Sequence, residues 1–340
     1  MNKRSRIGLA LAVTSALALT GCASGGGSGG DSTSGGDEPM RSLSVKFDFT
    51  PVLGFMLPVA VAIDKGYYKE VGLDVTASEG ESANSTISAV DGGHFDIGYA
   101  DAGATALAIS KGADVKMFTS YMPVTQGSVI SRTAEGITKP TDLIGKTVAA
   151  TDGSSSGALL DAMLKANNIP RDQVNVQSVA SSAKVASLLQ GKVDAITGFL
   201  SSECIQAQEE AKEPVSCMPV GDFGVSALGG GLLASTKLVD GETDMLTKFV
   251  EATNRGWEDA LKDPAEAAAI GVKMFPLADK DLLEKQLEAV KPLLHTPATK
   301  DKPYGYMAES DWKKTLQSLH DYRGLEEIGD PATYYRNVIE

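Results

Sequence analysis

Residues 45–75, VKFDFTPVLGFMLPVAVAIDKGYYKEVGLDV, constrain this chain more than any other stretch. Val45, Phe47 and Phe49 alternate with Lys46 and Asp48, which is the period of a half-buried strand. Pro51 ends the run because it has no N–H to give to a sheet. A loop with few polar residues, 52–57, follows. Pro58 suits the start of a helix, and Gly66 suits its end. The GLDV segment then enters a second strand. Strand, loop, helix and strand make one βαβ unit. Open α/β sheets bind ligands beyond the carboxyl ends of their strands. Phe49, Thr50 and Phe55 lie in such a loop and are candidate ligand contacts.

The same rhythm runs through most of the chain. Phe95, Ile97 and Tyr99 alternate around Asp96, which predicts a strand. Residues 100–103 read as its carboxyl-end loop, which makes Ala100 and Asp101 candidates, and residues 104–111 as a small-residue helix. A strand over 115–121 brings Tyr121 to another strand end. Residues 126–132 read as a strand crossing into a second domain. There the strands 147–151, 174–179 and 193–199 alternate with helices 158–167 and 183–190, and Phe199 falls at a strand end. Residues 224–234 carry the chain back, and the remainder is largely helical. The expectation is an α/β fold of two lobes, each a βα sheet domain, with the ligand cleft between them. Lobe I comprises 41–126 and 231–340, and lobe II comprises 127–230.

Hydrophobic residues are 42% and charged residues 22% of the 340, ordinary for a globular chain. The net charge of −13 argues against a nucleic-acid partner. Lys3, Arg4 and Arg6 precede an apolar run over 7–19, and Leu19-Thr20-Gly21-Cys22 then matches a bacterial lipoprotein cleavage signal. The reading is a signal peptide over 1–21, a lipid-modified Cys22, and a Gly/Ser-rich tether to residue 40. That layout predicts a protein held by lipid on the extracytoplasmic face of the cell membrane.

The Asp-aromatic-Thr-Pro strand end, the KGYY helix end and GLDV together resemble the periplasmic substrate-binding proteins of ABC importers. The branch is the one with thiamine-pyrimidine, taurine, alkanesulfonate and nitrate binders. Two departures stand out. Phe49 takes the place of a frequent Trp, and Val52 to Phe55 replace the Asn and His that often follow Thr-Pro. The resemblance implies a type II two-lobed fold and a monomeric receptor without enzyme activity, cofactor or metal. It would capture a small-molecule solute and pass it to permease and ATPase subunits. The resemblance also makes Asp96-Ile97-Gly98 the start of a second ligand loop. In similar pyrimidine binders, a Glu after the strand equivalent to 193–199 pairs with the aminopyrimidine, which points to Glu203. Thiamine-pyrimidine precursors are therefore the first expected ligands. Sulfonates, taurine, nitrate and aromatic carboxylates are the alternatives. Eukaryotic relatives of the branch make the pyrimidine themselves, but this chain lacks their Cys-rich motif.

Ser154, Ser155 and Ser156 lie in GSSSG before a helix, where free backbone N–H groups and hydroxyls suit an anion. The same pattern fits a hydrolase elbow with Ser155 as nucleophile, which would need a downstream His. His295 and His320 are the two available. Asp222 lies in another loop assigned to the cleft. Cys204 and Cys217 are a disulfide candidate in an exported chain, with two buried free thiols as the other reading.

Overall fold

In the computed structural model, which describes residues 40–340, the first strand β1 (Arg41–Lys46) buries Leu43 and Val45 on one face. The signal peptide, Cys22 and the tether up to residue 39 lie outside the described residues. β1 ends three residues before the alternation predicts. Its partner β2 (Leu73–Ser78) runs out there, and the last ladder bond is Phe47 N to Ser78 O, 2.9 Å. Between them come α1 (Leu57–Asp64) and the short α2 (Tyr67–Glu70). Pro58 sits in the first turn of α1, and Leu57 to Ala62 are all buried, so α1 is a core helix rather than an amphipathic one. Then follow α3 (Ala83–Asp91), β3 (Ile97–Asp101), α4 (Ala102–Ser110) and β4 (Val115–Met117).

The second sheet is built from β5 (Gly127–Arg132), β6 (Thr147–Ala150), β7 (Asn175–Ser178), β8 (Ala195–Phe199) and β9 (Val215–Pro219). Its helices are α5 (Ser155–Ala166), α6 (Lys184–Leu189) and α7 (Glu203–Glu210). A disulfide joins Cys204 of α7 to Cys217 of β9. The chain then returns to the first sheet as β10 (Gly230–Ser235). It continues through α8 (Thr236–Gly241), α9 (Thr243–Lys262), α10 (Pro264–Met274), α11 (Lys280–Val290), α12 (Glu309–Ser318) and a π-helical turn, Leu319–Arg323. On α9, Leu246, Phe249, Val250 and Trp257 share the buried face that their spacing predicts. Among the described residues no helix is long and apolar enough to cross a membrane.

The two sheets repeat one pattern, β2-β1-β3-β10-β4 and β7-β6-β8-β5-β9. In each sheet four strands run the same way, and the fourth in the order is antiparallel to both neighbours. That antiparallel strand is in each case the one the chain forms immediately after crossing from the other lobe. Close approach at one crossing demands glycine. A Cβ on Gly231 would fall 2.1 Å from the Thr119 carbonyl oxygen. Thr125 clasps the two crossing segments together, its hydroxyl donating to Ala227 O (2.6 Å) and accepting from Ala227 N (2.8 Å).

Candidate functional site

The carboxyl ends of β1, β3 and β8 converge with the start of α5 on one cavity between the lobes. Phe49, Phe55, Tyr99 and Met122 line it from the first sheet's side, and Ser155, Leu159 and Phe199 from the second's. Phe49 and Phe199 meet edge to face across the gap with ring centroids 5.9 Å apart. Phe55 and Tyr99 form a tilted pair at 5.5 Å. The free volume between these groups is about 30 Å³, the space of one or two waters, so a solute of any size enters only if the lobes part.

Two carboxyl groups face this cavity, Asp48 just beyond β1 and Asp101 at the end of β3. No Lys or Arg is among its lining residues. Asp48 is buried, and its Oδ1 has no hydrogen-bond partner among the described residues. Burial pushes its carboxyl well above the usual range, against a lowering hydrogen bond from its own backbone, and the charge of Asp101 adds to the rise. Asp101 caps α4, with Oδ1 accepting from Ala104 N at 2.8 Å. Burial raises it too, and Arg323, 3.8 Å away, offsets part of that rise. The Tyr99 hydroxyl is also buried without a partner among the described residues, and desolvation raises it well above a free phenol. Gln126 lines the cavity and accepts a hydrogen bond from Ser201.

The expected contacts divide. Phe49, Phe55, Asp101, Ser155 and Phe199 line the cavity. Thr50 lies in an outer hollow on one flank, where its hydroxyl donates to Gly80 O at 2.8 Å. Ser154 lies in a second outer hollow and caps α5 through Gly157 N, 3.2 Å. Ser156 turns the other way and donates to the Thr197 hydroxyl at 3.3 Å.

Four expectations are corrected. Residues 100–103 are not a loop, because β3 runs straight into α4, and Ala100 is wholly buried in the core behind the cavity. Tyr121 packs on Trp257 at 5.5 Å and belongs to the core. Asp222 is exposed and faces a separate hollow with Pro123 and Pro219. Glu203 does not reach for solute, because its oxygens are taken up by Lys184 Nζ, Phe199 N and the Ser202 hydroxyl.

The hydrolase arrangement is also not formed. Ser155 Oγ has no partner among the described residues, His295 Nδ1 is bonded to Thr299 O at 2.9 Å, and His320 pairs with Asp321. Sequence reasoning missed Asp48, which alternation placed on the outer face of a strand that in fact ends before it. It also missed Arg323, which no local pattern marks.

Comparison with known proteins follows the same lines. A 24% identical relative, the riboflavin-binding protein RibY of Chloroflexus aurantiacus, aligns over 82% of this chain and 80% of its own length. The 4-amino-5-hydroxymethyl-2-methylpyrimidine phosphate synthase THI13 of Saccharomyces cerevisiae is also 24% identical, over 76% of this chain and 77% of its own. The solved structure of the alkanesulfonate-binding protein SsuA from Xanthomonas axonopodis pv. citri superposes with a TM-score of 0.68. It covers 88% of this chain and 99% of its own at 15% identity, a likeness of fold. The expected two-lobed periplasmic-binding-protein fold is therefore the observed one. The family model described as NMT1/THI5 like matches residues 55–267, and the chain belongs to the NMT1/THI5-like family.

Proposed function

We propose that this protein is an extracytoplasmic solute receptor for an ABC importer and that its solute is a flat, nitrogen-bearing aromatic molecule. The observation that carries the solute class is the pairing of two buried carboxyl groups, Asp48 and Asp101, with an aromatic lining and no cation in the same cavity. Carboxyl groups accept hydrogen bonds from amino or amidine edges, and Phe49, Phe55, Tyr99 and Phe199 offer ring faces and edges. A bare sulfonate or nitrate placed there would meet two carboxyl groups and no Lys or Arg among the lining residues. Aminopyrimidines and isoalloxazines fit this description, and the names of two relatives carry such rings. The aminopyrimidine partner assigned to Glu203 passes to Asp48 and Asp101.

Binding would close the lobes, because both contribute walls to one cavity and only the closed form touches solute from both sides. The lobes divide near residues 126 and 230, Cys22 carries the lipid, and the protein works as a monomer without catalysis. Calorimetric titration tests the reading. Aminopyrimidine or riboflavin should bind in the micromolar range or tighter, about −8 kcal/mol. Binding of taurine with neither aromatic bound would overturn the solute class. Mass spectrometry of molecules released from freshly purified protein would identify the natural solute.

A further inference from the structure

A guanidinium lies buried beside the cavity with no hydrogen-bond partner for its Nε or Nη1 among the described residues. It belongs to Arg323, whose side chain is 6% exposed. Its nearest acid, Asp101, stands 3.8 Å away, outside hydrogen-bond reach, and the Oδ1 that faces it already caps α4. A buried charge whose ion pair carries no hydrogen bond is a costly feature for a fold. Gly103 makes room for it. A Cβ at that position would fall 2.4 Å from Arg323 Nη1.

Arg323 lines a hollow of about 510 Å³ that also holds the first turn of α5, with Ser154, Ser155 and Gly157. A twelve-residue helix presents unpaired N–H groups and the positive end of its dipole there. Ser155 is 8% exposed, and its hydroxyl, like Arg323 Nε and Nη1, has no hydrogen-bond partner among the described residues. Ser155 lines this hollow and the aromatic cavity both, so the two adjoin at that side chain. The acids on the hollow's wall do not neutralise the guanidinium. Asp161 is bonded to Arg171, Asp91 accepts from Asp114 N, and Asp152 is exposed.

We infer that Arg323, the Ser155 hydroxyl and the amino end of α5 form an oxyanion subsite, so that the solute carries an acidic group beside its aromatic ring. The inference rests on the receptor reading and deepens it. The unpartnered Nε–H and Nη1–H lie on different edges of the guanidinium, and either one together with Nη2–H can meet two oxygens of one carboxylate, phosphate or sulfonate, while the helix end supplies a further direction of positive charge. The ring then sits among Phe49, Phe55 and Phe199 with its nitrogen edge toward Asp48.

Inorganic phosphate and the matched pair benzamidine and 4-carboxybenzamidine test the subsite by calorimetry on the purified protein. Phosphate should bind at millimolar concentration, and 4-carboxybenzamidine at least tenfold tighter than benzamidine. Arg323→Met should abolish the first and erase the second preference while leaving the melting temperature of the unliganded protein equal or higher. A structural ion pair with Asp101 would instead make that variant melt lower. Gly103→Ala keeps the charge but displaces Nη1, so it should fold and weaken phosphate at least fivefold. If phosphate does not bind, or if both variants keep the carboxylate preference, the subsite is wrong. Benzamidine binding alone would leave the receptor reading standing without it. Phosphate binding without any aromatic binding would do the reverse.

Discussion

Lys184 Nζ lies 2.7 Å from Glu203 Oε1, and the two side chains are only 1% and 8% exposed. Lys184 also donates to Thr197 O at 2.7 Å, and Glu203 Oε2 accepts from Phe199 N at 3.0 Å and the Ser202 hydroxyl at 2.6 Å. The pair thus fixes the end of β8, where Phe199 turns into the cavity. Burial alone would raise the Glu203 carboxyl. The charge of Lys184 and the hydrogen bonds from Lys184, Ser202 and Phe199 overcome this and hold it below the usual range.

Removing one partner leaves the other charged and buried. Glu203→Ala should therefore destabilise the protein by roughly 3–5 kcal/mol, measured by urea unfolding. A double substitution, Lys184→Met with Glu203→Leu, should recover most of the loss. Because the folded pKa is depressed, the stabilisation is present above the ordinary glutamate range. It disappears as pH falls through the lowered value. A Glu203→Ala protein with wild-type stability would show that the pair is not holding the strand end.

Asp48 has the opposite sign. Its pKa is raised by burial, so the folded protein retains a proton that the unfolded chain releases. Stability from this group falls as pH rises from the ordinary aspartate range through the raised folded value. Asp48→Asn should flatten that slope and stabilise the protein at neutral pH by on the order of 1 kcal/mol. The same change should weaken binding of an aminopyrimidine or amidine at least tenfold. Thermal melts across pH beside calorimetry check both, and a variant that melts lower while binding normally would remove Asp48 from the site.

Cys204 and Cys217 are thirteen residues apart in sequence. Thiol titration of the unfolded, unreduced body should detect neither. Replacing both with Ser should lower stability by about 3 kcal/mol in the chain-entropy model. Two titratable thiols would contradict the bond.

Lys285 on α11 reaches Glu209 on α7 across the flank of the cleft, but each side chain is 48% exposed. Such a pair is worth little. Lys285→Ala should cost no more than about 1 kcal/mol, and the difference should vanish in 1 M salt. A larger, salt-resistant loss would assign closure to this contact rather than to the solute.

Much of the fold was readable along the chain because period-two and helical patterns report local burial. Val45, the capping Ser154 and the Leu246–Trp257 face are examples. The cavity was half readable. Phe49, Phe55, Asp101 and Phe199 sit at strand ends, and strand ends carry a positional meaning in α/β sheets. Tyr121 and Ala100 share that position yet face the core, since nothing local says which side of a strand end meets the neighbouring lobe. Glu203 was misread because its partner Lys184 lies on another helix and consumes it. Arg323 was invisible, as it reaches Asp101 from a turn more than two hundred residues later.

The antiparallel strand in each sheet sets an order of assembly. Lobe II has all five strands once residue 219 exists, although it begins in the middle of the chain. The first sheet must wait for β10, and until residue 235 has been made β3 and β4 expose facing edges with nothing between them. A growing chain therefore completes its second lobe before its first, and it carries an unfilled slot through roughly a hundred residues of synthesis. Premature termination between residues 219 and 230 yields a complete second sheet attached to an aggregation-prone half-sheet.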